Sequence, residues 1–131
     1  MRILLVDDHA LFCSGFESLL IAWGETVVGS ASDGQQGLEK TRVERPDLVF
    51  MDVNLPDMSG FEAALLIKAE MPRIRVVMLT AHDEPGHAAR SLRAGADGYL
   101  LKDMSEDAFR RVLDTVGQGE FPQERKDWKV P

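Results

Sequence analysis

A doubly wound, five-stranded parallel α/β sheet is the fold class this sequence predicts, and three observations predict it. Five short runs rich in β-branched residues alternate with helix-length segments. Several of the runs are apolar throughout, as in parallel strands covered on both faces. The connections are short, and alternation of this kind closes into right-handed crossovers.

The strands are expected at Ile3–Val6, Thr26–Gly29, Leu48–Met51, Ile74–Leu79 and Tyr99–Leu101. Between the first two, Phe12, Phe16, Leu19, Leu20 and Trp23 recur at helical spacing and give helix 1 an apolar stripe. Asp33 is placed to cap helix 2, which must stop before Pro46. Ser59 caps helix 3, whose Phe61, Leu65, Leu66 and Met71 are expected to face inward before Pro72 ends it. Helix 4, from Glu84 to Ala94, is Ala-rich, thinly apolar and followed by Gly95, a left-handed stop. Ser105 caps helix 5, with Glu106 and Asp107 in its first turn and Phe109, Val112, Leu113 and Val116 on its buried side. For five strands the common strand order is the flavodoxin-like 2-1-3-4-5. Residues 1–117 form the domain; residues 118–131, with Gly119, Pro122 and the Gln123 to Asp127 polar run, read as a linker or the end of an excised segment.

The chain has 131 residues, 44% hydrophobic and 28% charged, which suits one domain with a real core. After Arg2 the apolar run ends at Asp7 and Asp8, unlike a signal peptide, and no stretch approaches the ~20 apolar residues of a membrane span. A lone Cys13 excludes an internal disulfide framework and multi-Cys metal sites, in keeping with a reducing cytoplasm. A net charge of −7 argues against direct nucleic-acid binding by these residues, because phosphate-backbone binding is driven by Lys and Arg.

In sheets of this kind ligands bind beyond the carboxyl ends of the strands. The polar residues that follow each run therefore matter most: Asp7 and Asp8 after strand 1, Asp52 after strand 3, Thr80 after strand 4 and Lys102 after strand 5. Each alone has a bland reading. Asp7 and Asp8 could cap helix 1, Asp52 could open a turn toward Pro56, Thr80 could cap helix 4, and Lys102 could be a solvated strand end. Their arrival at one rim is what those readings do not explain.

Three clustered carboxylates need a proton or a cation, since two of them ~4 Å apart repel by roughly 4 kcal/mol at an effective dielectric of 20. Lys102 supplies a single positive charge, leaving room for a divalent ion. Carboxylates, a backbone carbonyl and water are ligands for Mg²⁺. A metal beside a strand-end carboxylate points to phosphoryl transfer with a carboxylate nucleophile. In that assignment Asp52 is the phosphoacceptor, and Mg²⁺ is held by Asp8, Asp52, the main-chain carbonyl of Asn54 and, through water, Asp7. Lys102 and the Thr80 hydroxyl meet other phosphoryl oxygens, and small Ala81 leaves the group access.

The Asp7-Asp8-His9 run, Val49-Phe50-Met51-Asp52, Leu55-Pro56-Asp57-Met58-Ser59-Gly60, Leu79-Thr80-Ala81 and Tyr99-Leu100-Leu101-Lys102 resemble, in order and register, the receiver domain of two-component response regulators. The resemblance covers Met1 to Gly117. It implies an acyl phosphate on Asp52 donated by a sensor histidine kinase or a small phosphodonor, and slow self-catalysed hydrolysis tuned by the side chains of Asn54 and His82. It makes the chain a signalling phosphoacceptor, not an enzyme acting on a separate substrate. Thr80 and Tyr99 match the family's switch pair: the hydroxyl moves toward the phosphoryl group and the ring turns inward, altering the helix 4–strand 5–helix 5 surface. Phosphorylation would then produce a homodimer, release a neighbouring domain or expose a docking face.

Asp8-His9-Ala10-Leu11-Phe12, Ala94-Gly95-Ala96-Asp97-Gly98-Tyr99 and Lys102-Asp103 resemble NarL/LuxR-type regulators. In these a helix-turn-helix DNA-binding domain follows the receiver, so DNA contact would come through a C-terminal domain that this chain does not contain; the chain reads either as a stand-alone receiver or as a fragment of a longer regulator. Asp103 stands where most receivers have Pro, which weakens the expectation of a cis bond there.

His9, His82 and His87 lie in separate segments and are read as rim or structural residues, not a metal set. Cys13 reads as inert packing, and Trp23 closes helix 1. Trp128, in the polar tail, has three readings: docked on the domain, in contact with a neighbouring domain, or exposed. A flavin binder of the same fold needs a Ser-, Thr- or Gly-rich loop after strand 1, where this chain has Asp7-Asp8-His9. Aspartyl phosphohydrolases place the nucleophile after strand 1 and add a cap, features this chain lacks. A phosphorylation-independent interaction module would not need the complete set of Asp7, Asp8, Asp52, Thr80 and Lys102.

Overall fold

The structure is a computed structural model that describes residues 1–117. The expected linker and Trp128 lie outside the described residues. Ten elements alternate along the chain: β1 (Arg2–Val6), α1 (Ala10–Ala22), β2 (Thr26–Ala31), α2 (Gly34–Glu44), β3 (Leu48–Asp52), α3 (Gly60–Glu70), β4 (Arg75–Thr80), α4 (His87–Arg93), β5 (Gly98–Leu101) and α5 (Glu106–Gly117). The strands form one parallel sheet in the order β2-β1-β3-β4-β5, as expected. Among the described residues no helix is long and apolar enough to cross a membrane.

The period-2 geometry of strands splits the core into two layers. Ile3, Leu5, Leu48, Phe50, Val77, Leu79 and Leu100 pack against Phe16 and Leu20 of α1 and Phe109, Leu113 and Val116 of α5. Leu4, Val6, Val49, Met51, Val76, Met78 and Tyr99 point the other way, to α2, α3 and α4. Phe16 joins the first layer by stacking edge-on to Phe50 at 4.9 Å and tilted to Phe109 at 5.0 Å, distances typical of favourable ring pairs. Both faces of β3 are thus covered, which is why its sequence runs apolar without alternation.

The cap residues act as expected in three helices. Asp33 accepts from Gln36 N–H at 2.8 Å, Ser59 from Phe61 N–H at 3.1 Å, and Ser105 from Ala108 N–H at 3.2 Å. α2 stops at Arg45, in the left-handed region at φ 47°, one residue before Pro46. Gly95 is left-handed at φ +82°, the expected stop after α4.

Two expectations are corrected. Leu65 and Leu66 do not face inward: they are 53% and 47% exposed. The inward face of α3 is made by Phe61, Ala63, Ala64 and Ile67, because small residues let the helix lie close to the sheet and leave the bulkier leucines on its flanks. Nor does α4 begin at Glu84. Pro85 disfavours a helical Glu84, and Gly86 adopts φ +85°, so the helix starts at His87.

Candidate functional site

Four strands end at one rim. β1 leads into Asp7 and Asp8, β3 ends in Asp52, β4 ends in Thr80, and Lys102 follows β5. The main chain ties these ends together: Val53 N–H donates to Leu79 O at 2.9 Å and Lys102 N–H to Thr80 O at 2.8 Å. Gly60 fixes the far side of Asp52. A Cβ there would lie 1.9 Å from the Asp52 carbonyl oxygen, so only glycine permits the first turn of α3 to approach so closely.

The charged groups converge as the sequence predicts. Lys102 Nζ is 2.6 Å from Asp7 Oδ2 and 3.3 Å from Asp52 Oδ2, and it lies 4.9 Å from the centre of the Phe12 ring. Asp52 is 2% exposed and Asp7 5% exposed, whereas Asp8 opens to solvent. Burial pushes the Asp52 carboxyl up to about 6, and the neighbouring Asp7 adds to the rise; Lys102 and the Asn54 N–H, 3.2 Å from Asp52 Oδ1, oppose it. Lys102 therefore does not offset the burial of the Asp52 carboxylate.

Sequence reasoning placed His9 at the crevice rim; the structure places its ring among the acids. His9 Nδ1 lies 2.9 Å from Asp7 Oδ1, 3.4 Å from Asp52 Oδ2, 3.5 Å from Asp8 Oδ1 and 2.8 Å from Lys102 Nζ. Its own N–H donates to Asp7 Oδ1 at 2.8 Å. Neither Asp7 nor Asp8 caps α1; the N-cap residue is His9, without a side-chain cap. The two-residue spacing from Asp7 to His9 was the available signal, since a carboxylate readily accepts from an N–H two residues on. Asp7, Asp8, His9 and Asp52 each offer one ligand atom within 4.8 Å of the others, a set of oxygens and nitrogen able to hold a metal ion.

Apart from Lys102 and the Asn54 N–H, the structure shows no bond from the remaining predicted residues to the Asp7, Asp8 and Asp52 carboxylates among the described residues. Thr80 is buried, and its hydroxyl donates to His82 O at 2.9 Å and accepts from His82 N–H at 3.2 Å, which turns it into its own loop instead of capping α4. Ala81 and His82 are exposed beside it, and Asn54 is exposed after β3. Tyr99 is 2% exposed, with its hydroxyl 3.1 Å from Asp83 Oδ1; burial and that carboxylate raise its pKa. Its ring lies inside the fold. Cys13 behaves as packing: burial, then Asp7, pushes its thiol up to about 11, away from reactivity. His87 is buried against Phe61 at 5.6 Å with Nε2 3.3 Å from Glu84, and it is not one of the residues of the acidic cluster. A cavity of about 720 Å³ opens at the opposite end of the sheet, lined in part by Met1, Asp47, Met71 and Val116, but the acids and Lys102 do not reach it.

The family description "Response regulator receiver domain" matches residues 3–114. Among curated proteins, the transcriptional regulatory protein MctR of Rhizobium johnstonii is 40% identical over 91% of this chain and 56% of its own length. The chain spans about half the length of the curated relatives it matches. Among solved structures, a LuxR-family two-component response regulator from Aurantimonas superposes with a TM-score of 0.86 at 30% identity, covering 92% of this chain and 86% of that one. A NarL signal receiver domain from Mycobacterium tuberculosis superposes with a TM-score of 0.82 at 36% identity, covering 88% of this chain and 95% of that one.

Proposed function

The chain belongs to the response regulator receiver family, of the NarL/LuxR type, and from that membership we propose that it accepts a phosphoryl group on Asp52 in a Mg²⁺-dependent reaction. The observation that carries the reading is the meeting of Asp7, Asp8 and Asp52 with the single ammonium of Lys102 at one strand-end rim. The donors fit Mg²⁺: they are carboxylates with excess negative charge, and burial, with Asp7 beside it, holds Asp52 above its ordinary pKa against the opposing charge of Lys102. Asp8, Asp52 and the Asn54 carbonyl would hold the ion, with Asp7 reaching it through water. Mg²⁺ there would offset charge on the phosphoryl oxygens and keep Asp52 ionised at neutral pH.

An Asp52 carboxylate oxygen forms the new bond to phosphorus while the bond from phosphorus to the donor's imidazole nitrogen breaks, and that nitrogen keeps the electron pair. Lys102, anchored by Asp7, turns from Asp52 toward a phosphoryl oxygen. Thr80 leaves its bonds to His82 and donates to another. Exposed Ala81 leaves the approach open, and the Asn54 and His82 side chains tune hydrolysis by water. The buried Tyr99 ring and Thr80 form the switch pair, and the surface that changes is the face built by α4, β5 and α5.

The donor is a sensor histidine kinase, which places the receiver in the cytoplasm, and the output is transcription through a following helix-turn-helix DNA-binding domain. The net charge of −7 leaves nucleic-acid binding to that domain. Incubation with Mg²⁺ and acetyl phosphate followed by intact mass measurement tests the reading. One added phosphoryl group is expected, lost in Asp52→Asn and without metal. Absence of both the adduct and binding of beryllofluoride would sink the mechanism.

A further inference from the structure

The loop between β3 and α3 is closed at its base and pinned at its tip. At the base, Asn54 and Ser59 form an antiparallel bridge, and Gly60 N–H donates to Val53 O at 2.7 Å. At the tip, Asp57 turns away from the acids and toward α2. Its Oδ1 accepts from Gly34 N–H at 2.7 Å and its Oδ2 from Gln35 N–H at 2.9 Å. The Gly34 N–H, with further main-chain donors, holds this carboxyl below its ordinary range. Asp33, from the helix's own leading residue, takes only Gln36 N–H. Two carboxylates from separate parts of the chain thus satisfy the three leading N–H groups of α2.

Gly34 is what makes the approach feasible. A Cβ there would lie 2.4 Å from Met58 Cγ and 2.7 Å from its Sδ. The bonds are local to α2, but their reach is longer: only Leu55 to Met58 separate the bridged pair Asn54 and Ser59, so fixing Asp57 restricts where the Asn54 main chain can lie.

We propose that Asp57 is a positioning residue for the cation site, holding the Asn54 carbonyl ready by tying the loop tip to the N-terminus of α2. This rests on the Mg²⁺-dependent phosphoacceptor reading. Asp57 itself touches neither cation nor phosphoryl group. Its removal leaves every ligand present and lets one of them wander, so affinity for Mg²⁺ falls while the maximal labelling rate at saturating Mg²⁺ is kept.

The test is calorimetric titration of the whole chain with Mg²⁺, with denaturation midpoints and acetyl phosphate labelling measured alongside. Asp57→Ala should weaken Mg²⁺ binding by about tenfold, the low end of what losing a ligand-orienting partner does. Asp57→Asn keeps one acceptor oxygen and should lose less. Gly34→Ala, which crowds Met58 from the other side, should weaken it as well. Asp33→Ala is the decisive control, because it weakens the same helix end without touching the loop; it should lose stability and keep its Mg²⁺ affinity. Unchanged affinity in Asp57→Ala, or an equal loss in Asp33→Ala, overturns the positioning role while leaving the phosphoacceptor reading intact. If the unsubstituted chain takes up neither Mg²⁺ nor beryllofluoride, that reading fails first and the positioning role falls with it.

Discussion

The two sides of the rim are held very differently. On the α2–α3 side, Asp33, Asp57 and Ser59 all accept from leading helix N–H groups, and Arg42 grips Glu70 with two bonds, Nε at 2.7 Å and a second guanidinium nitrogen at 3.0 Å. On the α4 side the helix is seven residues long and starts from a left-handed Gly86 with no side-chain cap. Its attachments are softer: Arg90 lies over the Phe61 ring at 4.4 Å, and His87 Nε2 sits 3.3 Å from Glu84 while its buried Nδ1 has no partner among the described residues. Asp52, the proposed nucleophile, and the proposed cation ligand Asn54 grow from the pinned side. The element proposed to respond grows from the loose one. Few bonds and a short, uncapped helix mean a low local opening free energy, which a switching element requires.

Two glycine substitutions should break the comparison most sharply. At Gly60→Ala the new Cβ meets backbone on the pinned side, the Asp52 carbonyl at 1.9 Å, and either α3 or β3 must shift. We expect a loss of about 3 kcal/mol or more, together with loss of labelling at Asp52. At Gly86→Ala nothing lies within 4 Å of the Cβ, and only the positive φ of 85° resists the change. A loss of about 1 kcal/mol is expected there, with labelling kept. Urea denaturation of both variants reads the difference, and equal losses would erase the distinction between the two sides.

Asp52→Asn comes next and has the opposite sign. The carboxyl is raised from 3.8 to about 6, so between those values the folded chain binds a proton that the unfolded chain has released. Stability therefore falls as pH rises through that window, and the folded chain carries the penalty above it. Removing the charge should stabilise the metal-free protein at pH 7 by about 1–2 kcal/mol, discounted because Lys102 loses a partner. Below pH 4 the gain should vanish, and saturating Mg²⁺ should shrink it at neutral pH. A metal-free Asp52→Asn variant less stable than the parent at pH 7 would mean that Lys102 already compensates the acids.

The difference between the sides also marks how far the sequence can be read. Strand order and the meeting of Asp7, Asp8, Asp52 and Lys102 were legible because parallel strands deliver their carboxyl ends to one edge whatever the detail. The caps at Asp33 and Ser59 were legible because they act within three residues. Asp57 was not, since its partners lie 22 and 23 residues away and only the folded β3–α3 loop brings them together. The inward face of α3 is hidden in the sequence for a related reason: side-chain size favours Leu65 and Leu66, whereas proximity to the sheet selects alanines. The start of α4 was misread because Ala-rich composition speaks for a helix without saying where Pro85 and Gly86 let it begin.

The smallest effect expected is at Tyr99→Phe, and it sharpens the picture of the loose side. The ring is buried in the same layer as α4, and its hydroxyl reaches Asp83 in the loop that leads to that helix. Phe keeps the packing and gives up the bond. Asp83 is only half-buried and can turn to water, so the loss should be about 0.5–1 kcal/mol instead of the larger figure for an orphaned buried acceptor. Its consequence should be local. Amide hydrogen exchange in the segment from His82 to Arg93 should quicken, while exchange in α2 and α3 stays as it was. If exchange quickened equally in α3, the two sides would be opening as one unit, and the contrast drawn from their caps would not describe how the domain moves.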